Sequence, residues 1–179
     1  MKKHISYSEL KTWDECAYKH KLVYLDEIKK FLGSEHTAFG TAVHEVCEKS
    51  VLGEIKLDRK SLNECFDNKF LEEIRFLTEN NVELNKDLLK DMRGQARDLL
   101  HHIVPELKNH FGEYEIIAAE EQLYEPIENS EKFYKGFIDL VLKTKDGRYH
   151  IIDWKTCSWG WDNRRKNERI TTYQLAFYK

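Results

Sequence analysis

The stretch GFIDLVLKTKDGRYHIIDWKTC, residues 136–157, decides how this chain folds. Two short apolar runs flank a Lys145-Asp146-Gly147-Arg148 turn, the pattern of a β-hairpin. Each run also carries an aspartate, Asp139 and Asp153, where a buried strand is ordinarily apolar. A carboxylate taken out of water is paired or bound to metal, because leaving it alone is costly. Lys155 follows Asp153 by two residues. The period of a strand puts those two side chains on one face, with Ile152 and Trp154 on the other.

Register then decides whether the two acids can act together. A two-residue turn at Asp146-Gly147 pairs Lys145 with Arg148 and Asp139 with Trp154, which sends the aspartates to opposite faces. A three-residue loop, Lys145-Asp146-Gly147 with Gly147 in the left-handed bulge position, pairs Asp139 with Asp153. The second register is expected here. It sets like charges nearly opposite each other, which is destabilising by itself and is reversed in sign by a divalent cation between them. Hard carboxylate oxygens suit Mg²⁺ or Mn²⁺ better than zinc. A neighbouring lysine can orient or deprotonate a water and stabilise charge on a phosphorus centre. Acid, acid, base and metal together fit hydrolysis of a phosphodiester.

Outward from the hairpin, the chain of 179 residues is long enough to bury a core, being 41% hydrophobic and 34% charged. It reads as a single domain over 1–179, helical over about 1–111, with a sheet and a final helix over about 112–179. A net charge of -3 excludes a molecule that is basic all over. A polyanion partner then needs a local basic patch or bound metal ions. Cys16, Cys47, Cys65 and Cys157 form no Cys-x-x-Cys pair, which argues against a zinc ribbon. Cys47 and Cys65 fall in helical patterns and read as small buried hydrophobes. The N-terminal MKKHISYSEL has no apolar h-region, and no run approaches the ~20 apolar residues of a membrane span. A reducing cytoplasm is the expected compartment.

Ser6-Tyr7-Ser8-Glu9 has capping-box spacing and opens a helical pattern through about Ile28. Phe39, Val43, Val46 and Val51 mark a second helix from Glu35 to Val51, stopped by Gly53. Residues 61–79 and 83–110 read as two longer helices, the latter with Gly94 and Pro105 as candidate breaks. Three strands follow, over Glu115–Tyr124, Phe133–Lys143 and Tyr149–Lys155, then a helix from about Asn167. That order is α+β organisation.

Asp139 followed by Asp153-Trp154-Lys155 resembles the D…(D/E)-x-K signature of the PD-(D/E)XK nuclease superfamily. Its surroundings resemble the RecB-like branch, with its AddB-type and CRISPR-associated exonucleases. Gly136-Phe137-Ile138-Asp139 resembles that branch's G-x-I-D, and Ile152-Asp153-Trp154-Lys155-Thr156 its hydrophobic-D-Y-K-T. Tyr173-Gln174-Leu175-Ala176-Phe177-Tyr178 is similar to its Q-L-x-x-Y helix, and Gly40-Thr41-Ala42-Val43-His44 to its upstream G-x-x-x-H. Ser6 to Tyr24 resembles its opening S-x-S-x-L…C-x-x-x-(Y/F) helix. The pieces occur in the family's order over nearly the whole chain.

The resemblance implies a restriction-endonuclease-like core, a small mixed sheet flanked by helices, behind a helical N-terminal half. It implies a Mg²⁺- or Mn²⁺-dependent deoxyribonuclease, exonucleolytic, in recombination, repair or CRISPR-type processing. A module that binds DNA or a partner without cutting is the alternative. His44, Asp139 and Asp153 are implied metal ligands, together with the Trp154 carbonyl, and Lys155 is the catalytic lysine. A glutamate on the preceding strand belongs to the pattern. Glu120 and Glu121 both qualify, and Glu121 is favoured because one residue separates it from apolar Leu123. Gln174 and Tyr178, four apart on one helix face, are implied to orient site or substrate. Trp159, Arg164, Arg165 and Lys166 put aromatic and cationic groups beside the site, where they can stack bases and hold phosphates. Relatives that hold an iron–sulfur cluster use one cysteine near the N-terminus and three after the last helix. Cys16 takes the first place, but Cys157 lies too early for the others, so no cluster is expected and Cys16 reads as a core thiol. No Walker loop occurs, so a helicase or a recombination or CRISPR partner would be a separate protein.

Overall fold

The computed structural model describes residues 3–28, 31–157 and 169–178, the side chains of 169–171 excepted. In chain order the elements are β1 (His4–Ser6), α1 (Tyr7–Glu15), α2 (Ala17–His20), a π-helical turn (Lys21–Leu25), α3 (Glu35–Val51), α4 (Arg59–Glu79), α5 (Lys86–Leu99), a 3-10 turn (Leu100–His102), α6 (Ile103–Phe111), β2 (Tyr114–Pro126), β3 (Phe133–Thr144), β4 (Tyr149–Ile152) and α7 (Arg169–Phe177).

β3 is the central strand of a four-stranded sheet, with β2 on one side and β1 and β4 paired to other stretches of it. β1 runs parallel, from His4 opposite Phe133 to Ser6 opposite Lys135. β4 runs antiparallel, from Leu140 opposite Ile152 to Lys143 opposite Tyr149. This is the expected α+β, restriction-endonuclease-like arrangement, a small mixed sheet with flanking helices. The hairpin takes the three-residue loop. The Gly147 N–H donates to the Thr144 carbonyl at 2.9 Å, the Thr144 N–H donates to the Arg148 carbonyl at 2.9 Å, and Gly147 has φ +83°. The short parallel β1 was not among the three expected strands.

Contacts divide the chain into two compact units. One comprises Met1–Phe31, Glu120–Ile138 and Cys157–Lys179, the other Leu32–Ala119 and Asp139–Thr156. In the second unit, α3 runs from Glu35 to Val51 as its apolar spacing predicts, and it buries Phe39, Val43 and Val46. α4 starts at Asp58, whose side chain accepts from the Ser61 N–H at 3.0 Å, and buries Leu62, Phe66 and Phe70. Phe66 stacks on Phe70 at 5.1 Å and meets Phe39 edge-on at 5.7 Å. A second apolar cluster joins Leu107 of α6 to Leu140 and Leu142 of β3. The long helix expected over 83–110 is divided. Pro105 lacks an N–H and its ring opposes the carbonyl four residues back, at His101. The α-helix accordingly gives way to the 3-10 turn at 100–102, while Gly94 stays inside α5.

In the first unit, the helix expected to run from Ser6 to about Ile28 is interrupted. Ser6 caps α1 by accepting from the Glu9 N–H at 3.3 Å. Cys16 then turns extended, with φ -165° and ψ 108°, and its sulfur caps α2 by accepting from the Lys19 N–H at 3.4 Å. Cys16 is therefore exposed and not a core thiol. Cys47 is buried as expected, and Cys65 is half-buried. Among the described residues of this unit, Glu9, Tyr134, Gly136, Ile138, Gln174 and Tyr178 are buried.

Candidate active site

Asp139 stands where β3 changes partners. Its ladder with β1 ends at Lys135, and its ladder with β4 begins at Leu140. One more step of the β4 register would set Asp139 opposite Asp153, but the ladder ends at the Leu140–Ile152 pair. Beyond Ile152 the chain leaves the ladder, and the Trp154 N–H donates to the Asp139 carboxylate at 2.6 Å. The same oxygen lies 3.6 Å from His44 Nδ1. His44 comes from α3, one helical turn after Gly40. A Cβ at Gly40 would lie 3.4 Å from Thr156 Oγ1, so the glycine lets the segment after Lys155 lie close against α3.

Asp139 is 8% exposed. Burial pushes its carboxyl pKa up. His44 and the Trp154 N–H pull it down without offsetting burial, Asp153 adds to the rise, and Lys155 opposes it. Cys47, three residues after His44, has its thiol pushed up to about 12, first by burial and then by the Asp139 charge. It stays a neutral thiol beside the carboxylate. Lys155 is ion-paired with Asp153. Trp154 turns the other way and packs against both apolar clusters of its unit. The expected alternation thus holds, with Asp153 and Lys155 on one side and Ile152 and Trp154 on the other.

His44, Asp139, Asp153, Trp154 and Lys155 are therefore brought together in one unit. Two carboxylates and an imidazole nitrogen, one of the carboxylates buried and destabilised as an anion, make a donor set that fits a hard divalent cation. Glu120 and Glu121 lie on β2. Glu120 is half-buried with φ +50°, and Glu121 is exposed. Ile116 and Ala119 both pack on the Leu140 cluster although three residues apart, so the alternation of β2 slips by one just before this point. Nothing in the two identical residue types signals that slip, and the preference for Glu121 rests on its spacing to Leu123 alone.

Gln174 and Tyr178 belong to the other unit. Both are buried, and the Gln174 amide donates to the Tyr178 hydroxyl at 3.1 Å. A Cβ at Gly136 would lie 2.8 Å from Tyr178 Cε1 and 3.2 Å from Tyr134 Cε1. The glycine of G-x-I-D is thus required by the tyrosine ring packed over it. Tyr134 stacks on Phe177 at 4.9 Å, and burial raises its hydroxyl pKa, with Tyr178 and Tyr7 adding. The sequence marks Thr156 only as the last residue of D-x-K-T and does not single out Tyr134, since neither type announces a contact with a distant glycine. Trp159, Arg164, Arg165 and Lys166 lie outside the described residues.

No helix among the described residues is long and apolar enough to cross a membrane. Neither the curated proteins nor the solved structures include a significant match to this chain. The family comparison is positive over the span that the hairpin and its flanking helices occupy. The profile of the PD-(D/E)XK nuclease superfamily matches residues 4–179, nearly the whole sequence, and the chain belongs to that superfamily.

Proposed function

We propose that this protein is a divalent-metal-dependent deoxyribonuclease of the RecB-like branch that acts on free DNA ends. The observation that carries the reading is the buried Asp139 carboxylate, with His44 Nδ1 at 3.6 Å and the Trp154 N–H donating to it at 2.6 Å, beside Asp153 with Lys155 held on it. The ordered G-x-x-x-H, G-x-I-D, D-x-K-T and Q-x-x-x-Y elements support the branch. Among single-strand-processing enzymes of this type, a separate helicase or a recombination or CRISPR protein would supply the opened end.

His44, Asp139 and Asp153 would hold Mg²⁺ or Mn²⁺, with the Trp154 carbonyl as a further donor and Glu120 preferred over Glu121 because it is the half-buried one. The ion, when bound, lowers the pKa of water and offsets phosphate charge. Asp139 and Asp153 fix their oxygens through the Trp154 N–H and the Lys155 ammonium. Lys155 carries its positive charge two residues from Asp153, where it positions the attacking water and the scissile phosphate. Attack forms a P–O bond to water and breaks the P–O bond to the sugar oxygen, which leaves with a proton. Gln174 and Tyr178 act as orienting groups.

The test is cleavage of end-labelled single- and double-stranded DNA in Mg²⁺, Mn²⁺ or EDTA. Metal-dependent cutting is expected, with products ordered from an end. Lys155→Ala should retain the fold by circular dichroism and lose turnover by about 10²–10³-fold, the size of one lost transition-state charge contact. Near wild-type cutting by that variant would reject its role. DNA binding without cutting in any metal would leave a non-cleaving module.

A further inference from the structure

We infer that the cross-strand pair Lys143–Tyr149 near the tip of the β3–β4 hairpin is a second contact for the nucleic-acid strand, a stacking platform that holds it away from the reacting phosphate. This rests on the nuclease reading. Lys143 and Tyr149 are directly opposite in the register, and Lys143 Nζ lies 5.1 Å from the Tyr149 ring centroid. Tyr149 is 61% exposed. The opposite face of the same hairpin is closed by Leu140 and Leu142, each fully buried. The pleat sends Asp139, Val141 and Lys143 to one side of β3, and Ile151 and Tyr149, the partners of Val141 and Lys143, to the matching side of β4. The platform thus shares a strand face with Asp139.

Charge points the same way. The chain carries net charge -3, yet residues 143–150 hold Lys143, Lys145 and Arg148 against Asp146 alone. The span from Asp139 to Lys143 is about 14 Å, the reach of about four phosphates in a stacked strand. An exposed aromatic ring beside a cation is the combination that takes single-stranded bases and phosphates without sequence preference. The occupant is therefore a single-stranded segment some four nucleotides from the site of cutting.

The experiment measures KM and kcat on oligo(dT) of graded length, from about two to about twelve nucleotides, across the range of single-strand site sizes. For the wild type, KM should fall once the substrate passes about four nucleotides. Tyr149→Ala should raise KM for long substrates about tenfold, with kcat and short-substrate kinetics unchanged. Tyr149→Phe should restore wild-type KM. Lys143→Ala should flatten the dependence of binding on salt by about one phosphate contact. If Tyr149→Ala matches wild type at every length while the wild type cuts, the platform is rejected and the nuclease stands. If the wild type cuts nothing, the nuclease reading fails. Anisotropy with the same oligonucleotides then decides the platform, supported by loss of length-dependent binding in Tyr149→Ala and overturned by unchanged binding. Should Tyr149→Ala unfold, the salt dependence of Lys143→Ala decides.

Discussion

Asp139 meets the Trp154 N–H at 2.6 Å and His44 Nδ1 at 3.6 Å, and its carboxyl pKa is still raised. Burial therefore outweighs both favourable contacts. An aspartate whose folded pKa lies above its unfolded value binds its proton more tightly when folded. It penalises the folded state at neutral pH, and the penalty fades as pH falls through the raised value. The site is held in a state that a cation would relieve. Asp139→Asn keeps an acceptor for the Trp154 N–H and removes the charge. Metal-free Asp139→Asn should be more stable than wild type, by an amount on the order of 1 kcal/mol, in thermal unfolding with EDTA at neutral pH. It should also lose the rise in melting temperature that Mn²⁺ gives the wild type. A variant less stable than wild type in EDTA would show that the Trp154 and His44 contacts dominate. Glu120→Gln should weaken the Mn²⁺-induced rise and Glu121→Gln should leave it intact, in the same measurement, since only Glu120 is half-buried.

At the scale of elements, the turn at 145–147 sets which atoms can share a metal. Gly147 holds φ +83°, with nothing within 4 Å of an added Cβ, so its cost on substitution is conformational and not steric. Gly147→Ala should lower stability by about 1–2 kcal/mol, the price of a left-handed L-residue, and Gly147→Asn by less. Urea midpoints of the three proteins give the comparison, and equal midpoints would mean the turn relaxes without strain. This hairpin was legible in the sequence because every determinant is local: a glycine at the bulge position, two apolar runs, and a period that fixes faces. α3 was legible for the same reason, through Phe39, Val43 and Val46. β1 was not, because three residues carry no period and their partner, Phe133–Lys135, is remote in the chain. The break at Cys16 and the slip in β2 are backbone events that leave residue types unchanged. The division of the helix after α5 was half visible, since Pro105 acts on the turn before it and not at its own position.

At the scale of the molecule, a substrate of regularly spaced phosphates must approach a chain with 32 acidic and 29 basic side chains. The proposed site brings two of those acids, Asp139 and Asp153, to the point of attack, with Lys155 already paired to Asp153. Local cations help at the hairpin tip, but the negative charge at the site itself remains unless something positive joins it. Divalent metal should therefore govern binding as well as chemistry. The Lys155→Ala variant, whose cutting is slowed by about 10²–10³-fold, separates affinity from cutting. Its affinity for single-stranded DNA, read by anisotropy at fixed ionic strength, should be at least about tenfold tighter in Mn²⁺ than in EDTA, a contact to a charged group contributing roughly 1.5–3 kcal/mol. Adding Asp139→Asn to that variant should erase the difference by removing a ligand. A metal effect that survives Asp139→Asn would place the responsible ion elsewhere, on the DNA or on exposed acids. An affinity indifferent to metal would mean that basic surface alone carries the substrate, and that the opposed carboxylates take no part in holding it.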